Sequence, residues 1–301
     1  MKKSKNMVPR KIVLGLIFTL TLISTVIFTS IDASYTSRKY TSQYDSKEEA
    51  IIAGAELNER IALEGMVLLK NENTVLPLET GVGTDETKVS VFGYKSVFPD
   101  GGGSADGDTS DGIVRLSSDI YSSLSDAGYK VNPVIRDVYE QWSEDSNDNR
   151  SDYWFAQDSN YTSMLDTMRN SYQSYDDAAV VVLTATNLEP DSVSGTTPNI
   201  DPTTMLDPEG NVVPDLHMRE LDQGQLDLVD EVTANFDNVI VVINSSVPLE
   251  MSELQNNPLV DSIILAGEPG ANGFNALGML MSGEVNFSGR LADTYMADFT
   301  K

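Results

Sequence analysis

Carboxylates are the only catalytic side chains that this sequence supplies in quantity. It contains 46 acidic residues, a single histidine, His217, and no cysteine. Without cysteine there are no disulfides, no thiol catalysis and no cysteine-ligated zinc, and one histidine excludes a histidine-cluster metal site. His217 could serve a serine triad, but no GxSxG motif accompanies it, so an exposed loop histidine is the favoured interpretation. Paired carboxylates are the catalytic type that the composition allows, and glycoside hydrolysis is one reaction that needs two of them, an acid and a nucleophile or base. The residue types alone do not select a reaction.

Glu189 is the carboxylate whose position best suits such chemistry. It follows the apolar run at residues 180–185 and begins a long polar segment that extends to about residue 219. In a parallel sheet, ligands bind where loops leave the carboxyl ends of the strands, and a buried strand at 180–185 would place Glu189 there. In so acidic a chain, the alternative is an ordinary solvated surface carboxylate.

Two further segments contain side chains with binding potential. Trp154, flanked by Tyr153 and Phe155, offers an apolar face for a sugar ring, although such a trio is also typical of a core. The glycine-rich segment DGGGSADGD, at residues 100–108, lacks the Lys-Ser/Thr end of a phosphate-binding loop. Its aspartates could ligate calcium, but the spacing of an EF-hand is missing, and a loop that needs close backbone approach is the simplest interpretation.

The charge balance restricts the partners. The formal net charge is −26, and five of the 20 basic residues lie in the first eleven positions, where there is no acid. Such a negative surface repels phosphate backbones and anionic lipid, so we expect no nucleic-acid partner, and a neutral ligand is easier to accommodate. No cofactor-binding motif is present, and we expect neither a cofactor nor a metal.

The N-terminus predicts export. Residues 12–31 form twenty uncharged, mainly apolar positions after the basic cluster, long enough to span a bilayer. We interpret residues 1–31 as a signal-anchor or transmembrane segment, with cleavage as a signal peptide as the alternative. Residues 32–45 form a polar linker, and the chain from Asp32 onward is exported. Export without cysteines indicates a bacterial protein, anchored at the cell surface or, if cleaved, secreted.

Beyond the linker, the hydrophobic pattern predicts an α/β fold. A helix is expected at residues 46–64, and short apolar runs follow at 66–70, 89–93, 180–185, 239–244 and 262–267. Helical patterns at residues 116–127 and 221–236 lie between these runs. Continuous β-branched runs that alternate with helices predict a parallel sheet covered on both faces. The polar stretch at residues 141–177 remains without an assigned element.

Four stretches together resemble the α/β-sandwich domain of glycoside hydrolase family 3. They are AELNERIALEGMVLLKNENTVLPL at residues 55–78, VSVFGYKS with the following GGGSADGD, VIVVINSSVPLEM, and GEPGANGFNALGMLMSGEVNFSGRLADTY. The resemblance implies one domain over residues 46–301, a three-layer sandwich with a mostly parallel sheet. It also implies membership of an exo-acting retaining β-glycosidase, similar to a β-glucosidase, in carbohydrate catabolism.

The resemblance assigns roles to individual residues. Glu189, in TNLEPDS, matches the family's acid/base glutamate, and Asp191 matches the acid that follows it. Lys95, in FGYKS, lies near a basic position of the family's pocket loop. Leu188 and Pro190 replace the glycines that flank the glutamate in the family, and Pro190 restricts this stretch to extended geometry.

The resemblance also implies a partner domain. In the family, a (β/α)₈ barrel carries the aspartate nucleophile, and its strand-SDW-like motif does not occur in this sequence. RLADTYMADFTK resembles the junction that leads into the barrel in a branch with inverted domain order. We therefore expect the barrel on a longer product or on a separate chain, and no activity from these 301 residues alone. The alternative is a non-catalytic, membrane-tethered carbohydrate-binding or vestigial module.

Overall fold

The structure is a computed structural model that describes residues 42–81, 83–99, 118–145, 161–184, 220–221, 223–295 and 297. The predicted segment 1–31, the glycine-rich segment 100–108, the trio around Trp154 and His217 all lie outside the described residues. Over the described part of the chain, no helix has both the length and the apolar character needed to cross a membrane. The chain divides into Met1–Ala50 and Ile51–Lys301.

Seven helices and six strands occupy the described ranges. The helices are α1 (Lys47–Gly65), α2 (Ile120–Asp126), α3 (Pro133–Asp145), α4 (Tyr161–Tyr172), α5 (Gln223–Thr233), α6 (Ser252–Asn256) and α7 (Asn275–Ser282). The strands are β1 (Val67–Asn71), β2 (Lys88–Phe92), β3 (Lys130–Val131), β4 (Ala178–Leu183), β5 (Val239–Ile243) and β6 (Ser262–Leu265). Two 3₁₀ turns, Gly83–Asp85 and Tyr94–Ser96, complete the regular structure.

The six strands form one mixed sheet in the order β1-β6-β5-β4-β2-β3. Every neighbouring pair is parallel except β1 and β6, which pair in antiparallel fashion at one edge. All residues of β4 and β5 are buried, so both faces of the sheet are covered in its centre. The predicted α/β class with a mostly parallel, doubly covered sheet is confirmed, and the arrangement fits a sandwich.

Helices α2 and α7 approach each other unusually closely, and a glycine makes this possible. A Cβ atom on Gly278 would lie 2.2 Å from the backbone oxygen of Ser123. The amide of Gly278 instead donates to Ser123 Oγ at 2.9 Å. This contact accounts structurally for the glycine in the FNALGML stretch, because any side chain there would force the two helices apart.

Residues 141–177, the polar stretch for which the sequence predicted no element, contain the end of α3 and the whole of α4. Asn132 starts α3, since its Oδ1 accepts from the amide of Val134 at 3.1 Å. Its buried Nδ2 also donates to Ser90 Oγ on β2 at 3.1 Å and to Ser171 Oγ on α4 at 2.8 Å. One buried asparagine thereby connects β2, α3 and α4 with its hydrogen-bonding capacity in use.

Candidate functional site at the carboxyl edge of the sheet

The parallel strands end almost level with one another. Phe92 pairs with Val181, two residues before the end of β4, and Leu183 pairs with Ile243. Ile243 in turn pairs with Leu265 at the end of β6. The described segments that leave these ends, residues 93–99, 184, 244–251 and 266–274, therefore meet on one side of the sheet. We call this region the carboxyl edge, and it is where an open parallel sheet binds ligands.

The segment that follows β2 is a tight and well-anchored turn. Gly93 has φ +95°, and its amide donates to Tyr139 Oη at 2.8 Å. The amide of Ser96 donates to the Gly93 oxygen at 2.9 Å, and the amide of Phe98 donates to the Tyr94 oxygen at 3.2 Å. Lys95 lies half-buried on this turn. The structure thus brings Lys95 to the carboxyl edge, while its predicted role in a pocket stays a prediction.

The segments that follow β5 and β6 are joined to each other by side chains. Asn244 is fully buried, and its Nδ2 donates to the Gly267 oxygen at 2.7 Å. Ser246 Oγ donates to Glu268 Oε1 at 2.8 Å. Glu268 is half-buried, and it is a carboxylate at the carboxyl edge that was not among the predicted site residues. Sequence analysis missed it, although its place directly after the apolar run at 262–267 was the available signal.

Helix α1 fixes the loop that carries Glu268. Asn58 Nδ2 donates to the Pro269 oxygen at 2.5 Å, and Asn58 Oδ1 accepts from the amide of Asn272 at 2.9 Å. Gly270, with φ +87°, lies so close that a Cβ there would come within 2.6 Å of the Asn58 amide group. One side chain, Asn58 of the AELNER stretch, therefore holds both ends of the loop in the GEPGANG stretch.

We expect Asn58→Ala to lower the free energy of unfolding by about 1–3 kcal/mol, because it removes a donor and an acceptor from loop groups that are partly buried. Urea denaturation of the full chain measures the change. Asn286→Ala is the matched control, since Asn286 is exposed in the segment that follows α7. Equal unfolding midpoints for the two variants would contradict the role assigned to Asn58.

Several charged and hydroxyl groups around α2 and α3 are paired with one another or with the backbone. Arg136 pairs with Asp119 at 3.5 Å and Glu140 at 2.8 Å, and its guanidinium lies 5.4 Å from the centre of the Tyr121 ring. Burial raises the pKa of Tyr121 well above its ordinary value of 10, so its hydroxyl stays neutral. That hydroxyl donates to the Val91 oxygen at 2.9 Å. These groups stabilise the surroundings of the site.

A second acidic feature lies beside the segment that follows β5. A cavity of about 450 Å³ is lined by Glu220, Glu250, Glu253, Ser252 and three apolar residues. Its carboxylates repel anions, which agrees with the charge argument for a neutral ligand. Over the described part of the chain, no group of three or more histidine or acidic side chains is placed to hold a metal ion.

Three of the four predicted site residues, Glu189, Asp191 and Trp154, lie outside the described residues. What the structure describes is the start of the segment that carries two of them. β4 ends at Leu183 in the middle of the sheet, and the next residue, Thr184, is buried at the carboxyl edge. The Thr184 oxygen accepts from Gln225 Nε2 at 2.7 Å, which holds the end of the strand against α5. The acid/base assignment of Glu189 stays a prediction.

Comparison with known proteins identifies the family. The sequence model described as the glycosyl hydrolase family 3 C-terminal domain matches residues 66–300. Beta-glucosidase A of Butyrivibrio fibrisolvens is 28% identical over 250 residues, which cover 80% of this chain and 28% of that protein. Probable beta-glucosidase L of Aspergillus terreus is 24% identical over 269 residues, 87% of this chain and 32% of that protein. The chain thus spans about a third of the length of these relatives.

Solved structures show the same fold. Beta-glucosidase 3B of Thermotoga neapolitana, in complex with alpha-D-glucose, matches 89% of this chain with a TM-score of 0.60 at 21% identity, over 33% of its own length. A beta-glucosidase of Paenibacillus barengoltzii matches 81% of this chain with a TM-score of 0.58 at 24% identity, over 24% of its own length. At these identities, the likeness concerns the fold.

Proposed function

Since the chain belongs to the glycosyl hydrolase family 3 C-terminal domain family, we propose that it is the sandwich-domain part of an exported retaining β-glycosidase. Its substrate class is the β-glucoside, in agreement with relatives named as beta-glucosidases. A strongly acidic chain accepts a neutral sugar without the repulsion that an anionic substrate would meet. The reaction is hydrolysis of an O-glycosidic bond in carbohydrate catabolism.

The observation that supports this proposal most is the position of the carboxyl end of β4, where the described chain reaches Thr184, five residues before Glu189 in the sequence. β4 is a central strand whose parallel neighbours on both sides end at the same edge. In a double displacement, Glu189 first protonates the leaving oxygen and then, as the base, activates the water that releases the sugar. Asp191 and Lys95 lie near the sugar in this proposal, and Trp154 offers an apolar face to it.

The nucleophile of this reaction lies outside these 301 residues. We place it on a barrel domain, either in a longer product or in a separate chain, because the chain spans only about a third of its relatives. One carboxylate without a positioned nucleophile does not perform a double displacement. The organisation proposed for the chain itself is a signal-anchor at residues 1–31, a linker at 32–45 and the sandwich domain at 46–301. The protein is then held at the bacterial cell surface, or secreted if the anchor is cleaved.

The stereochemistry of the product tests the proposal. The enzyme that contains this chain, isolated from its own cells, is given methyl β-cellobioside while proton NMR follows the new anomeric signal. We expect β-glucose to appear first, because two displacements at the anomeric carbon restore the original configuration. Initial formation of α-glucose would contradict a retaining mechanism. Absence of any hydrolysis would favour a carbohydrate-binding or vestigial module.

A further inference from the structure

Two aromatic rings form a close, tilted pair on the turn that follows β2. The ring centres of Tyr94 and Phe98 are 4.9 Å apart, and the ring planes differ by 30°. Phe98 is 39% exposed, and no other aromatic side chain that the structure describes belongs to the exposed class. A single exposed phenylalanine needs no explanation. A close pair of tilted rings at the carboxyl edge is a more specific feature.

The backbone holds this pair in place. The amides of Val97 and Phe98 both donate to the Tyr94 oxygen, at 3.1 and 3.2 Å. Of the three residues between the rings, Ser96 and Val97 are buried and Lys95 is half-buried, so the backbone of the turn is packed against the domain. The aromatic surface is therefore preorganised, and little conformational entropy is lost when a ligand covers it.

We propose that Tyr94 and Phe98 form a platform on which the C–H face of a β-glucopyranoside ring packs. This inference rests on the proposed function, since it names a surface that holds the same class of substrate. The axial hydrogens at C1, C3 and C5 of a β-glucoside form one apolar face, and an aromatic ring is the natural partner for it. The platform lies at the carboxyl edge, on the turn that follows β2, and β4 is a neighbouring strand.

The neighbouring charges favour a neutral ring over a charged ligand. An anion is disfavoured by the net charge of −26. A cation over the rings is disfavoured by Lys95, which places a positive charge on the same turn. A neutral polyol that offers one apolar face and hydroxyls around its rim meets neither penalty.

Saturation-transfer NMR on the full 301-residue chain tests the platform directly. The ligand is methyl β-cellobioside, and the aromatic protons of the protein are saturated. We expect the strongest transfer to the axial H1, H3 and H5 protons of one glucose ring. Phe98→Ala should weaken binding by about three- to tenfold, the range expected for the loss of one aromatic contact, while Phe98→Trp should retain it.

Leu259→Ala is the control. Leu259 is also exposed, but it precedes β6 and therefore lies at the amino ends of the parallel strands, away from the carboxyl edge. Circular dichroism verifies that each variant is folded. Unchanged affinity in Phe98→Ala would overturn the inference, and so would the absence of any binding by the unaltered chain. Neither result would contradict the proposed hydrolysis, because that proposal is tested separately by the stereochemistry of turnover by the complete enzyme.

Discussion

Replacing Glu189 with glutamine in the enzyme that contains this chain is expected to lower turnover of alkyl β-glucosides by about 10²- to 10⁴-fold. An alkoxide is a poor leaving group, so cleavage of its bond to the sugar depends on proton donation in the transition state. Glutamine keeps the size of the side chain but provides no acidic proton. The change is measured as kcat and kcat/KM on methyl β-cellobioside.

Two features distinguish a lost acid/base from general damage. A 2,4-dinitrophenyl β-glucoside needs no proton for departure, so formation of the glycosyl-enzyme should remain fast in Glu189→Gln. Release of the sugar should then be slow, since the base is missing, and azide should restore it because azide attacks without a base. Glu284→Gln serves as the charge-matched control, because Glu284 is exposed in the segment that follows α7.

Normal turnover of the alkyl glucoside by Glu189→Gln would remove Glu189 from the site. This outcome has a specific physical basis, since Leu188 and Pro190 replace the small flanking residues typical of the family. Pro190 restricts the backbone on both sides of its peptide bond. The experiment thus decides between a retained acid/base and a segment that has lost this role.

Gly93→Ala is expected to lower the free energy of unfolding by about 3–5 kcal/mol. Two penalties combine: φ +95° is unfavourable for any residue with a side chain, and the new Cβ would lie 2.3 Å from the Val182 oxygen in β4. Relief would require β2 and β4 to separate where they are hydrogen-bonded. Denaturant unfolding of the full chain measures the effect.

Gly267→Ala separates the two penalties of that prediction. Gly267 also follows a parallel strand and has φ +66°, but nothing lies within 4 Å of the Cβ that alanine would add. It should cost only about 1–2 kcal/mol, the strain of the left-handed conformation alone. Equal losses in the two variants would mean that the close approach of the turn to β4 contributes nothing.

Much of the sheet could be predicted from the sequence because its strands are continuous runs of apolar, largely β-branched residues. The runs at 180–185 and 239–244 differ from β4 and β5 by at most two residues at either end. The direction of β1 could not be predicted, since an apolar run fixes that a strand is buried but not how it pairs. The antiparallel pairing with β6 is a tertiary outcome.

Helix α4 was missed because its buried stripe is narrow. Leu165, Met168 and Tyr172 are buried at helical spacing, but most of the other residues of the helix are polar. For α3, the dipeptide Asn132-Pro133 was an available start signal, since asparagine caps helices and proline suits their first position. Neither α3 nor α4 was predicted, because the stretch at residues 141–177 is mostly polar.

The candidate site was only partly predictable. The carboxyl ends of β2, β4, β5 and β6 were expected to lie at one edge, and the strand registers confirm this arrangement. The contact between Asn58 and the loop at Pro269 was not predictable, because 211 residues separate them in sequence. The pairing of Tyr94 with Phe98 depends on the side-chain geometry of one turn, which composition does not encode.

The central claim is tested most directly by the mass of the native polypeptide and by the proteins that are recovered with it. An antibody against residues 46–301 is used to recover the protein from its own cells, and the recovered material is assayed on a β-glucoside. We predict activity together with a barrel domain, either in a chain larger than 32.8 kDa or in a second chain recovered with it. A single chain of 32.8 kDa or slightly less, without a barrel partner and without activity, would contradict the account.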